Sequence, residues 1–190
     1  NKDAEPRKDA EPRNQRVQEN IAADEHLLAS AGALVELPAS NNPVPNPVVI
    51  YVMISWKDSA VYEEMKTHFH HPIRTKEVRF VAPMDCPAGA SLETWVASQQ
   101  KEASAFLYLV TPNLVAEGKI DATVITYHDA LHIPLMIRDA AVEDTRLGTK
   151  RTVPSGGDVL SRVRDRDAYF LAVKREVMER IASLRGARRA

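Results

Sequence analysis

Hydrophobic and polar positions fall into two alternating rhythms after residue 47. Val48 to Ser55 (VVIYVMIS) is a continuous β-prone run, the pattern of a strand buried on both faces. Ala105 to Val110 (AFLYLV) repeats it, and Val78 to Ala82 and Ile133 to Ile137 are shorter versions closed or interrupted by proline. A weaker run around Arg151 to Pro154 predicts a fifth strand. Between the strands the period lengthens. Asp58 or Ser59 can cap a helix whose inward face is Tyr62, Met65 and Phe69, and Ser91 can cap one bearing Leu92, Trp95, Val96 and Gln99 on a single face. A helix is predicted over roughly 119–130. In the last helix, capped by Asp165 or Asp167, Phe170, Val173, Val177, Ile181 and Leu184 recur at spacings of 3, 4, 4 and 3. Buried strands alternating with amphipathic helices predict an α/β fold, a parallel sheet of about five strands covered on both faces, in the flavodoxin-like size class.

The segment before residue 48 reads differently. Lys2–Arg7 and Lys8–Arg13 are the same hexapeptide, KDAEPR, twice over, and it has nothing to bury, so 1–13 is expected to be a disordered arm. Residues 14–37 predict an N-terminal helix. Residues 38–47 hold four prolines and three asparagines, which predicts a stiff linker and sets the domain boundary, leaving 48–184 as the domain and 185–190 as a basic tail.

Charge adds one asymmetry. Residues 1–47 carry 5 basic and 8 acidic side chains, 48–150 carry 10 and 13, and 151–190 carry 10 and 5. No aromatic residues interleave the terminal arginines, so they suit a helix C-terminus better than nucleic acid. The longest apolar run, Val48 to Trp56 with only Ser55 polar, is nine residues, whereas a membrane-spanning helix needs about 20. The one cysteine, Cys86, cannot pair within the chain, which fits a reducing cytoplasm.

Candidate chemistry belongs at the carboxyl ends of the strands, where open α/β sheets bind ligands. Three segments converge there: Ser55, Trp56, Lys57 and Asp58 after the first strand; Pro83 to Gly89, including Asp85 and Pro87, after the second; and Thr111 to Asn113 after the third. The same residues also suit ordinary helix caps and bends. No glycine-rich phosphate loop follows the first strand, five of the six histidines (His68, His70, His71, His128, His132) fall in pairs or triplets without a partner cluster at metal-ligand spacing, and Cys86 has no histidine base marked by spacing.

Taken in order, these segments resemble a known family. Tyr51 to Asp58 (YVMISWKD) is similar to the first box of Toll/interleukin-1 receptor homology (TIR) domains. Met84 to Gly89 with Ser91 to Trp95 resembles their second-strand exit, and Phe106 to Leu114 their third strand and its exit. His132 to Arg138 resembles the fourth strand, and Arg166 to Val173 the final helix of bacterial members. The resemblance covers about residues 48–182. It implies a flavodoxin-like fold of five parallel strands and one of two activities: homotypic docking through the loop at 83–89, or cleavage of the nicotinamide–ribose bond of NAD. Cleavage needs a glutamate on the helix after the third strand, and counting from Thr111 that residue falls near Val124, with no acidic neighbour from Ala122 to Thr126. Glu117, Asp121 and Asp129 lie outside that window.

The expectation is therefore a TIR-like assembly module of bacterial signalling or defence, without NAD cleavage, with no required cofactor and no acidic group in the strand-end crevice. Its partner would be another protein or a second copy, met through the 83–89 loop. The alternative is an NAD glycohydrolase or nucleoside deoxyribosyltransferase-like enzyme, with Glu93, Asp85, Glu117 or Asp121 as the candidate carboxylate. A pseudo-receiver is disfavoured, since the acidic pair and phosphoacceptor aspartate it needs are missing.

Overall fold

A computed structural model describes residues 47–187. The repeat at 1–13, the helix of 14–37, the linker up to residue 46 and residues 188–190 lie outside the described residues.

Four strands, β1 (Val48–Met53), β2 (Val78–Val81), β3 (Ala105–Val110) and β4 (Leu131–Met136), form one all-parallel sheet in the order β2-β1-β3-β4. All six residues of β1 and all six of β3 are buried, as continuous apolar runs require of inner strands. The helices are α1 (Ser59–His68), α2 (His70–Arg74), α3 (Leu92–Glu102), α4 (Pro112–Ala116), α5 (Ile120–Thr126) and α6 (Arg166–Ala187).

Strand alternation divides the core in two. Ile50, Val52, Leu107, Leu109, Ile133 and Leu135 point to one face, where Tyr62, Met65 and Phe69 of the α1 region and Phe170, Val173, Val177 and Ile181 of α6 cover them. Tyr51, Met53, Phe106, Tyr108 and Val110 point to the other, where Leu114, Ile120 and Val124 of α4 and α5 pack, with Val96 of α3 half-buried beside them. Four of the five residues predicted for the inward face of α6, Phe170, Val173, Val177 and Ile181, are buried, whereas Leu184 is only half-buried and Tyr169 joins the face; Asp165 caps the helix by accepting the Ala168 N–H at 2.9 Å.

Two differences from the sequence reading have physical causes. The helix predicted over roughly 119–130 is the shorter α5 (Ile120–Thr126), and before it stands α4 (Pro112–Ala116), a short helix the sequence reading did not expect; Gly118 between the two adopts φ 65, a left-handed conformation that ends α4. The fifth strand is a single bridge, Leu135 to Val153. The Pro134 carbonyl faces outward and accepts the Val153 N–H at 2.8 Å, so the proline nitrogen faces outward too and offers no donor there. Residues 159–161 cover more of this edge through Leu160 N–H to Met136 O and Ser161 N–H to Ile137 O, both at 3.0 Å. Part of the predicted basic tail is also claimed by the fold: α6 runs to Ala187, and Arg185 donates to the Glu77 carbonyl at 2.8 Å. Among the described residues no helix is long and apolar enough to cross a membrane.

Candidate functional site: a strand-end cleft

The exit of β1 is a 3₁₀ turn, Trp56–Asp58, started by Ser55, whose Oγ accepts the Lys57 N–H at 3.4 Å. The Asp58 N–H donates to the Ser55 carbonyl at 2.9 Å and closes the turn. This leaves Ser55 buried, Lys57 exposed and Trp56 54% exposed, a large apolar surface to leave in water.

Asp58 points the other way, towards β3 and β4. Its Oδ2 accepts the Thr111 hydroxyl at 2.7 Å and the Asn113 amide at 3.2 Å, and its Oδ1 accepts the Arg138 guanidinium at 2.7 Å. The carboxylate is only 9% exposed, so this charge has exchanged water for three donors. Thr111 Oγ1 in turn accepts the Leu114 N–H at 3.2 Å and caps α4. Asp58, Thr111 and Asn113 are thus brought together, as their positions at adjacent strand ends predict. Arg138, which ends the apolar run of β4, completes the set. It was quoted above only as part of a resemblance; a lone cation closing a buried strand is the signal that could have marked it.

Beside this cluster lies a cleft of about 610 Å³. Tyr51, Met53, Ile54 and Trp56 form the β1 wall, with Pro83 at the β2 exit. Leu92, Glu93, Val96 and Gln100 of α3 form a second wall. The third comes from α4, α5 and the turn between them: Leu114, Glu117, Gly118, Lys119, Ala122 and Thr123. A mainly apolar lining with a few polar groups is the usual make-up of a small-molecule site. Burial pushes the Tyr51 phenol up to about 12, so it is neutral over the physiological range.

The carboxylates distribute in a way the sequence reading did not anticipate. That crevice was expected to hold no acidic group, yet Glu93 and Glu117 both line the cleft. The Glu117 side chain is 28% exposed, and its Oε2 lies 3.3 Å from Lys119 Nζ. Val124, where the resemblance expects a glutamate, is 9% exposed and packs in the second core with Tyr51, Phe106 and Ile120. Asp121 is not among the lining residues, and its Oδ1 accepts the Arg146 N–H at 2.8 Å. Asp85 also serves the fold: its Oδ2 accepts the Tyr62 hydroxyl at 2.6 Å and the Ala82 N–H at 2.8 Å, which pins the start of the 83–91 loop to α1.

Beyond that anchor the loop opens to solvent. Pro87 and Gly89 are exposed, Gly89 with φ 84, and Cys86 is half-buried. Gln100 and Lys119 line the cleft and were not singled out from the sequence, because its walls come from segments far apart in the chain and no motif joins them. Among the described residues no group of three or more His, Cys, Asp or Glu side chains is gathered for a metal ion. No family model and no curated protein matches the chain.

Proposed function

We propose that this is a TIR-like domain that binds a nucleoside-containing ligand in the strand-end cleft and cleaves its N-ribosidic bond, with NAD the first substrate to test. The observation that carries this reading is the pair of carboxylates, Glu93 and Glu117, lining a cleft whose mouth also holds exposed Trp56. Each part suits a different portion of such a ligand. An indole face stacks on a base, a carboxylate accepts hydrogen bonds from vicinal ribose hydroxyls, and Lys119 can meet a phosphate. In the reaction the bond from ribose C1′ to the nicotinamide nitrogen breaks, and its electron pair leaves with the base. A neutral nicotinamide departs and an electron-poor ribosyl cation remains, which the Glu117 carboxylate steadies. Water then adds at C1′ and gives up a proton, leaving ADP-ribose.

Incubating the protein with NAD and measuring free nicotinamide tests this. Release is expected from the unaltered protein and from Asp121→Asn, and background only from Glu117→Gln. An unaltered protein that releases none, at protein concentrations approaching those of the substrate, defeats the reading.

A second reading, a docking module in bacterial signalling or defence, is favoured by the loop beyond Asp85. Residues 87–91 are exposed and run directly into Leu92, itself 43% exposed at the cleft wall. It expects self-association that Pro87→Asp or Leu92→Asp abolishes, read by light scattering across a concentration series.

A further inference from the structure

The geometry points to the Asp58–Arg138 pair as a positioning clasp that sets the distance between two walls of the cleft, a role that rests on the cleft being the site of ligand binding. Asp58 belongs to the same three-residue turn as Trp56, so whatever holds its carboxylate also fixes the indole at the mouth. Through Thr111 Oγ1, which donates to Asp58 at 2.7 Å and accepts from Leu114 N at 3.2 Å, the same carboxylate is joined to the first turn of α4. That helix is five residues long, carries Leu114 of the opposite wall and ends at Glu117. A helix this short has little stability of its own and takes its placement from such contacts.

Arg138 supplies the third anchor. It reaches Asp58 from the exit of β4, and its side chain is 45% exposed while the carboxylate is nearly enclosed. Removing Arg138 leaves an enclosed negative charge without its cation. Replacing the Asp58 carboxylate by an amide removes the ion pair and turns one of its two accepting oxygens into a donor, so the three donors it now receives are not all satisfied. Neither residue is among those lining the cleft, so both act on a ligand through Trp56 and Glu117 rather than by touching it.

The test uses Trp56 as its own reporter. The sequence has two tryptophans, so Trp95→Phe leaves Trp56 alone. In that background, time-resolved fluorescence anisotropy reads the local motion of the indole in Arg138→Gln, Asp58→Asn and Arg138→Lys. The fast local component should grow in the first two variants and return towards the parent in the third, with the far-ultraviolet circular dichroism unchanged throughout. Nicotinamide release from NAD by Arg138→Gln should fall about tenfold in kcat/KM, since misplacing a group by about 1 Å costs one to two orders of magnitude, and Arg138→Lys should recover most of it. Unchanged indole motion in both Arg138→Gln and Asp58→Asn overturns the clasp. So does global unfolding of Arg138→Gln, because the contact would then serve the fold and not the cleft. Should NAD prove not to be a substrate, the anisotropy arm still decides, so the two readings fail separately.

Discussion

On the side of α6 one long helix covers the sheet, and on the side of α3 no single helix does. The difference lies in the helices each face receives. Helix α6 has 22 residues and buries Tyr169, Phe170, Val173, Val177 and Ile181. Helix α3 has 11 residues and buries none, and its neighbours α4 and α5 have only five and seven. Long apolar stripes close a layer; short helices with mixed faces leave space between them, and here that space is the cleft. The face that carries most of the stability is therefore distinct from the face available for chemistry, an arrangement suited to a site that changes while the fold persists.

This contrast can be broken from either side. The largest effect is expected on the α6 face: Phe170→Ala removes a fully buried ring and should cost about 3–5 kcal/mol, read as a lowered urea midpoint at unchanged slope. Next comes a pH effect beneath the α3 face. His132 is buried with Nδ1 2.8 Å from the Tyr108 hydroxyl and Nε2 3.0 Å from the Tyr127 carbonyl. A carbonyl only accepts, so Nε2 carries the hydrogen and Nδ1 accepts from Tyr108. Desolvation holds the imidazolium below its usual range, so the unfolded chain binds the proton more readily than the folded one. Stability present above about pH 6.5 should be lost as the pH falls below it, and His132→Asn should flatten that part of a denaturation series.

Smaller still is Gly118→Ala, which forces a side chain into φ 65 and should cost about 1–2 kcal/mol. Its effect on ligand affinity should exceed its effect on stability, because Glu117 and Lys119 flank the turn. Smallest is Val96→Ala on the half-buried face of α3, expected at under about 1 kcal/mol, against the several kcal/mol of Phe170→Ala. Comparable losses at Val96 and Phe170 would erase the distinction between the faces.

Those elements were legible whose signal is local. The apolar runs of β1 and β3 and the stripe of α6 depend only on neighbours in the chain, and they stand where the sequence put them. Asp58, Thr111 and Asn113 were legible as a group because parallel strands align their exits. Val124 shows the limit of that logic. Counting along the chain located the position that lacks a carboxylate, but placed Glu117, seven residues earlier, outside the window; it reaches the cleft from the end of α4, a short helix before Gly118 that the pattern did not predict. The roles of Asp85 and Asp121 were illegible for a similar reason: their partners, Tyr62 and Arg146, are more than twenty residues away.

Pro134 has a consequence for the width of the sheet. Its carbonyl is engaged by Val153 and its nitrogen offers no hydrogen, so it is one of the places where the lateral zipping of residues 151–155 stops after a single rung. On the side of Arg151 the carbonyl that such a donor would meet is taken by Arg180 at 3.0 Å. The sheet therefore stops at four ribbons where two prolines, Pro134 and Pro154, withhold amide hydrogens and Leu160 occupies the next outward carbonyl, that of Met136.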